Sequence, residues 1–333
     1  MDDTPSVMKA AYITAYGPAD TIAIGDLPVP VLGPTDVLVH VDALAVNHVD
    51  TFVRSGAYRT NTPFPFIIGR DLAGTVTATG PGVSGFQPGD RVWSNSLGHN
   101  GRQGAFAQWA SVPVERLYRL PDGVSPTEAV AVFHTAATAF LGLFRDGRLR
   151  AGDTIVVTGA AGGVGSAVVQ LAAAAGAKVV ATASKRDAEY CLGLGAHAVV
   201  DYSTPDLTAV IAEAAPEGVN LFWDNTGAND IEGMLPLLAQ GARVIVMSGL
   251  NSRPTVPMGK LYTRDISIHG FAISNASVSD LADAAALINR LLAAGRLRTR
   301  IGATLPLAEA AQAHRLQSAQ GADRPKGRIV VRP

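Results

Sequence analysis

Two textures of hydrophobic and polar positions divide this chain. In the first third, Val37 to Ala43 alternates apolar and polar residues, the period of a half-exposed strand. Gly74 to Gly80 is a β-branched run closed by glycines, and Asp90 to Trp93 follows a Pro88-Gly89 turn. From about residue 126 short Val/Ile runs alternate with Ala/Leu-rich stretches of helical period. This pattern predicts strands at Thr154–Thr158, Lys178–Thr182, Ala198–Asp201, Val219–Asp224, Arg243–Ser248 and Ile266–Phe271. The intervening helices fall at Val164–Ala175 and near Asp187–Leu194. Six such strands complete a doubly wound parallel sheet. Beyond residue 275 come a helix over Ser279–Ala293, another near Ala308–Ser318 and a strand at Arg328–Val331, a tail expected to rejoin the first domain. The fold class is α/β, with a β-rich domain over 1–126 and 276–333 and a parallel-sheet domain over 127–275. The first regular segment is expected at Met8, after a loose tail over residues 1–7.

Length and composition agree with two domains. The 333 residues exceed one ordinary core. A 47% hydrophobic, 17% charged chain with net charge −1 and no basic run does not suit nucleic acid or a membrane surface. The acidic start, Met1-Asp2-Asp3, is unlike a signal peptide, and Ala-rich stretches such as Val168 to Ala177 reach half a bilayer span. A soluble cytoplasmic protein is the expectation. Cys191 is the single cysteine, so neither an internal disulfide nor a thiolate zinc site can be assembled; the plain reading of Cys191 is a buried helical hydrophobe.

The strongest chemical signal is Gly159-Ala-Ala-Gly162-Gly163-Val164-Gly165, placed between a predicted strand and a predicted helix. One glycine permits the tight turn, the next lets the backbone approach a pyrophosphate, and Gly165 lets the helix pack close to the strand. The helix N-terminus then offers N–H groups and partial positive charge to the phosphates. A glycine turn without a ligand is the plainer alternative. NAD sites place an acid roughly 20 residues on, at the end of the second strand. Here Ser184-Lys185-Arg186 stands there, with no acid before Asp187. Two cations suit a ribose 2′-phosphate, which points to NADPH. The competing reading, that they only solvate a helix start, sets cations against the helix dipole. Ligands collect at the carboxyl ends of parallel strands, so Asn225, Ser248-Gly249 and Phe271 to Ile273 should line the nicotinamide side.

These residues carry a resemblance. The chain resembles the medium-chain dehydrogenase/reductase superfamily, in its zinc-independent quinone oxidoreductase (zeta-crystallin-like) branch, from Met8 onward. The resemblance rests on Val46 to Tyr58, Pro65 to Gly74, Gly85 to Val92, Gly101 to Ala107 and Ala151 to Gln170. It implies a GroES-like catalytic domain beside a Rossmann domain. Zinc enzymes of the superfamily place a cysteine and a Gly-His-Glu motif where this chain reads Asn47 and Gly69-Arg70-Asp71. None of the seven histidines pairs at metal-ligand spacing, so no metal is expected; His48 is the one histidine worth watching. A chain without such a Lewis acid is ill suited to simple alcohols and better suited to an electrophilic quinone or α,β-unsaturated carbonyl.

By the same resemblance Tyr58 and Asn47 line the catalytic pocket, while Phe52 stands where a second tyrosine is common. Thr138 sits near the nicotinamide. Gly162, Gly163 and Val164 meet the pyrophosphate, Lys185 the 2′-phosphate and Tyr202 the adenosine. Lys326 of the Lys326-Gly327 tail reaches the cofactor, and Leu97 to Arg102 with Met258 to Thr263 wall the pocket. Asp50 and Arg54 are expected to form a structural pair. A homodimer through the edge strand near Ile266 to Phe271 is implied, an apolar edge that exposure would make hazardous. Alternatives stay open: a reductase of a conjugated thioester or a ketone metabolite, a non-catalytic NADPH-binding protein, or a zinc alcohol dehydrogenase.

Overall fold

The computed structural model describes residues 5–319 and 321–333, and these form two compact units. One holds the described residues up to His134 together with Leu281–Pro333, and the other is Thr135–Asp280.

In chain order the first unit begins with β1 (Val7–Ile13), β2 (Ala23–Pro28), β3 (Asp36–Val46), helix α1 (His48–Ser55), β4 (Phe66–Ile67), β5 (Asp71–Thr79), β6 (Arg91–Ser94), β7 (Trp109–Pro113) and β8 (Tyr118–Arg119). Regular structure already starts at Val7, and the rest of the expected tail, residues 1–4, lies outside the described residues. β1 pairs antiparallel with both β2 and β4. β3 anchors the larger sheet. Its alternating half buries Val37, Val39 and Val41 and exposes His40 and Asp42, whereas Ala43 to Val46 is buried without interruption. The change marks where β16 takes over from β7 as the second partner of β3 and its end enters the interior.

Helix α2 (Pro126–Phe140) follows and continues as π-type turns over Leu141–Asp146. The whole helical run Pro126–Asp146 is 21 residues long and apolar, twice the longest apolar stretch expected from the sequence, and 78% of its apolar window is buried in the fold.

The second unit is a six-stranded parallel sheet. Its strands are β9 (Thr154–Thr158), β10 (Lys178–Ala183), β11 (Ala198–Asp201), β12 (Val219–Asp224), β13 (Leu238–Val246) and β14 (Ser267–Gly270). They lie in the order β11-β10-β9-β12-β13-β14. That is the 3-2-1-4-5-6 order of a doubly wound sheet, whose switch point falls between β9 and β12. β9 is buried over Thr154 to Val157, as a strand covered on both faces must be. Helix α3 (Gly163–Ala174) starts directly after the glycine turn. β13 begins five residues earlier than its Val/Ile run, through Gln240 and Gly241, which are not strand formers; partner pairing, not propensity, extends it.

The chain then returns to the first unit. β15 (Ile301–Pro306) pairs parallel with β16 (Arg328–Arg332), and β16 pairs antiparallel with the Leu44–Val46 end of β3.

Between these last strands, helix Ala310–Ser318 buries His314 completely, edge-on to Phe106 with ring centroids 5.9 Å apart. Neither ring nitrogen has a hydrogen-bond partner, and burial, with the charge of Arg54, lowers its pKa to about 3. The unfolded chain binds a proton below about pH 6.5 that the folded chain refuses, so stability falls as pH drops from there toward 3. At about pH 4.5 this costs about 2–3 kcal/mol. His48, lowered to about 4 chiefly by burial, acts the same way, while Asp50, raised to about 6 by burial, opposes both. His314→Leu is therefore expected to match or exceed the parent's Tm at pH 7, where an unpartnered polar group is replaced by an apolar one. It should also flatten the loss on acidification. An equally steep Tm fall between pH 7 and 4.5 in the variant would refute this.

Candidate active site

In the first unit the polar residues gather where β3, β5, α2 and β16 meet. Asn47 ends β3 and caps α1, and its backbone N–H donates to Asp50 Oδ2 at 2.8 Å. Its side chain is 2% exposed and oriented without ambiguity. Asn47 Nδ2 donates to Asp71 Oδ2 at 3.0 Å, while Asn47 Oδ1 accepts from Arg328 Nη2. A guanidinium can only donate and a carboxylate only accept, so one N–H of Nδ2 is the group this amide has left to offer. Arg328 Nε also donates to the Ala131 carbonyl of α2 at 3.0 Å. His134 Nδ1 lies 3.5 Å from Asp71 Oδ1.

Asp50 does not pair with Arg54, contrary to the spacing of four along the helix. Its charge partner is Arg70, whose Nε stands 4.0 Å from Asp50 Oδ1. Both are buried, and burial raises the Asp50 pKa to about 6 against the opposing pull of Arg70. Arg54 is buried without such a partner, its Nε and Nη1 unbonded, and the Asp20 carboxylate is its nearest compensating charge. Helix α1 supplies both residues, but a non-local residue at the approach to β5 outcompetes the local one.

Tyr58 is half-buried and stacks on His99 with ring centroids 6.4 Å apart and planes 14° apart. His99 Nδ1 is 3.2 Å from Thr60 Oγ1. Burial and then the charge of Arg70 lower the His99 pKa to about 4, keeping the ring neutral. Phe52 is 41% exposed, and His48 stands at the start of α1 with Arg324 Nη2 2.9 Å from its Nε2. Lys326 is exposed just before β16.

In the second unit the sequence-predicted cofactor residues line up along one edge, because a parallel sheet puts every strand's carboxyl end on the same side. Gly159 holds φ +61° at the end of β9, a left-handed conformation that glycine adopts without strain. Gly162 is the N-cap of α3 and donates its N–H to the Gly159 carbonyl at 3.0 Å, while Gly163 and Val164 open the first turn with N–H groups that lack helical acceptors. A Cβ on Gly165 would stand 2.3 Å from the Gly159 carbonyl oxygen, so the close approach requires glycine. These residues fit a pyrophosphate. At the end of β10, Ser184 Oγ donates to Asp187 Oδ2 at 2.7 Å, and Lys185 and Arg186 are exposed. Tyr202, 60% exposed, follows β11. Thr138 is buried in α2.

Asn225 is spent structurally. Its Nδ2 donates to the Thr158 carbonyl at 2.8 Å and its Oδ1 accepts from Trp223 Nε1 at 3.0 Å, tying β12 to β9. Phe271 lies edge-on to Trp223 with the Arg145 guanidinium over its ring. Ile273 is buried, and Gly249 holds φ +81° beside Ser248, whose Oγ donates to the Asp224 carbonyl at 3.3 Å.

Asp224 was not singled out from the sequence, yet it organises this edge. Its carboxylate accepts from Thr158 Oγ1, Thr226 Oγ1 and the N–H groups of Thr226 and Asn229, all within 2.6–2.7 Å. Burial alone would raise its pKa, but these hydrogen bonds outweigh it and hold the carboxyl ionised below the usual range. The available signal was Asp224-Asn225-Thr226-Gly227 at a strand end, the composition of an Asx-type turn. Arg70, His134 and Arg328 were missed because each joins its cluster from a distant segment. Among the described residues no group of three His, Cys, Asp or Glu side chains could hold a metal ion.

Comparison with known proteins places this geometry. Residues 33–122 match the alcohol dehydrogenase GroES-like domain, and residues 163–290 match the zinc-binding dehydrogenase family model. The chain is 31% identical over 318 residues to the quinone oxidoreductase of Mus musculus, covering 92% of this chain and 93% of that protein. Among solved structures, a quinone oxidoreductase of Pseudomonas syringae pv. Tomato DC3000 superposes with TM-score 0.85 at 27% identity, covering 98% of this chain and all of that one. A protein described as an NAD-dependent alcohol dehydrogenase superposes with TM-score 0.87 at 33% identity, with the same coverage.

Proposed function

The chain belongs to the medium-chain dehydrogenase/reductase superfamily of oxidoreductases, and on that premise we propose that it reduces quinones or α,β-unsaturated carbonyls with NADPH and without a metal. The observation that carries this reading is the pairing of a phosphate-ready glycine turn with a catalytic-domain cluster built from amide, carboxylate and guanidinium groups. Arg70 stands at a position that the resemblance gives to a metal ligand, and Asn47, at another, is already bound on both sides. A guanidinium repels a dication, and the Asn47 amide oxygen already accepts from the Arg328 cation, beside which a dication is disfavoured.

The bound nicotinamide supplies the hydride. Gly163 and Val164 would hold the pyrophosphate by their N–H groups, Gly162 at the cap would let it approach the backbone, and Lys185 with Arg186 would hold the 2′-phosphate. The remaining N–H of Asn47 Nδ2 and the Tyr58 hydroxyl are the hydrogen-bond donors offered to an acceptor oxygen, and the one proton that the reduction needs comes from water.

Cofactor choice is the sharpest test, since one structural neighbour carries NAD in its description. Lys185→Ala with Arg186→Ala is expected to lower kcat/KM for NADPH by about 10²-fold while changing that for NADH by less than threefold. The measurement is the ratio of the two constants with 1,4-benzoquinone and a simple enone in parallel. A parent enzyme that prefers NADH, or loses turnover to a chelator, overturns the proposal.

A further inference from the structure

We propose that Arg70 is the electrophile of the first unit, the group that receives the substrate's carbonyl oxygen and holds the negative charge that forms on it. The inference rests on the quinone or enone reading above.

Arg70 is 2% exposed, and its Nε and Nη2 are sealed from solvent with no hydrogen-bond partner. These two nitrogens form the edge by which a guanidinium grips a carboxylate side-on. Here the carboxylate stays at 4.0 Å, beyond hydrogen-bond reach, and Asp50 Oδ1 is itself unpartnered. Buried N–H groups left unpaired are rare and each costs on the order of a hydrogen bond, so an unpaired fork calls for a ligand or a catalytic task. Asp50 therefore holds the guanidinium in place by charge without consuming its donors. The third nitrogen, Nη1, is not among the sealed atoms.

The neighbours of Arg70 complete the assignment. Tyr58 and His99 both lie within electrostatic reach of its charge, Tyr58 stacked on the neutral His99 ring. Among the described residues the Tyr58 hydroxyl has no hydrogen-bond partner. A cation and a phenol with donors unspent thus stand near a neutral imidazole that Thr60 holds by its Nδ1.

The charge balance chooses the ligand. Among the buried groups Asp50 and Asp71 balance Arg70 and Arg328, while Arg324, the other charge acting on Arg328, is exposed. A neutral carbonyl enters such a site without bringing unbalanced charge, and interaction with Arg70 strengthens as its oxygen becomes anionic. Stabilisation that grows along the reaction accelerates it. Hydride addition at the carbon β to the carbonyl forms a C–H bond, breaks the conjugated C=C π bond and oxidises NADPH to NADP⁺. The electron pair released onto oxygen gives an enolate or phenolate beside Arg70, and a proton from water then closes the balance.

The test uses the full chain in three forms, the parent, Arg70→Met and Arg70→Lys. One readout is kcat/KM for 1,4-benzoquinone and for an enone, and the other is the spectrophotometric pKa of 4-nitrophenol bound to each protein without cofactor. The parent should lower the bound phenol's pKa by about one unit or more. Arg70→Met should abolish that shift and lower kcat/KM by about 10²–10³-fold, with NADPH affinity unchanged. Arg70→Lys should restore about tenfold of the loss. Should the Met variant not fold, Arg70→Gln, polar and uncharged, answers the same question. A variant that folds and stays within threefold of the parent, or a parent that does not shift the phenol, overturns the assignment. An Arg70-dependent shift without turnover of any quinone or enone upholds Arg70 as an oxyanion site and retires the proposed substrate class instead.

Discussion

Arg328→Met is expected to destabilise the first unit by about 3–5 kcal/mol, the cost of breaking a buried charge cluster by removing one partner. Arg328 is 6% exposed, and its donors hold Asn47 Oδ1 and the Ala131 carbonyl while its charge faces Asp71 and Asp50. Methionine fills a similar volume, so the loss is not one of packing. It leaves the Asn47 amide oxygen unpaired, takes the second donor from the helical Ala131 carbonyl, and leaves the sealed Asp71 carboxylate with the Asn47 amide and His134 at 3.5 Å. The Asn47 amide also loses the donor that fixed its orientation. Hydrogen exchange of the Val330 and Ala45 amides, on paired strands, would report the opening of this unit separately from the other. Protection falling by less than about tenfold, roughly 1.4 kcal/mol, would show that the cluster is not what holds these strands together.

Gly165→Ala is the second large effect, and it should separate from Gly162→Ala by its signature. A Cβ at Gly165 meets the Gly159 oxygen at 2.3 Å, Ala160 Cα at 2.8 Å and the Gly159 carbonyl carbon at 3.0 Å. All three are backbone atoms, with no side chain to swing aside. The first turn of α3 must move away from the strand, which misplaces the N–H groups that the phosphates need. NADPH affinity is expected to fall by about 10²-fold or more, with about 1–3 kcal/mol of stability lost to overpacking. A Cβ at Gly162 meets a single atom, the Gly159 oxygen at 3.2 Å, so that variant should keep its melting temperature and lose affinity alone. Fluorescence titration of NADPH beside thermal unfolding separates the two. Wild-type affinity in Gly165→Ala would dismiss the turn as the cofactor cradle.

The second unit was the more legible part of the sequence, for a physical reason. Its central strands β9, β10 and β12 are covered on both faces and read as apolar runs, and β9, β11 and β12 fall on the residues expected from the sequence. The glycine turn is equally local, with turn, cap and helix start all within seven residues. In the first unit the determinants are non-local. The two-residue strands β4 and β8 carry no pattern and exist through their partners. Helix α1 could have been recognised, since Asn47 followed three residues later by Asp50 is an N-terminal capping signature. Asp50 and Arg54 looked like a helical pair because their spacing is right, and Arg70 replaced Arg54 from a separate strand entry. Arg328 bonds Asn47 across 281 positions of sequence, a contact that no window of residues could contain.

The return of the chain to its first unit also orders events during synthesis. Thr135–Asp280 is contiguous, so once it has left the ribosome its six strands and their crossovers are all available. The other unit is not in that position. β16 inserts between β15 and β3, and Arg328 delivers the charge that the Asn47–Asp71 end of β3 and β5 lacks until then. Until translation reaches Arg332, the nascent first unit keeps a bare edge on the Leu44–Val46 end of β3, and Asp71 lacks the charge of Arg328. Its closure therefore waits until Arg328–Arg332 has left the ribosome, while Thr135–Asp280 can already be folded.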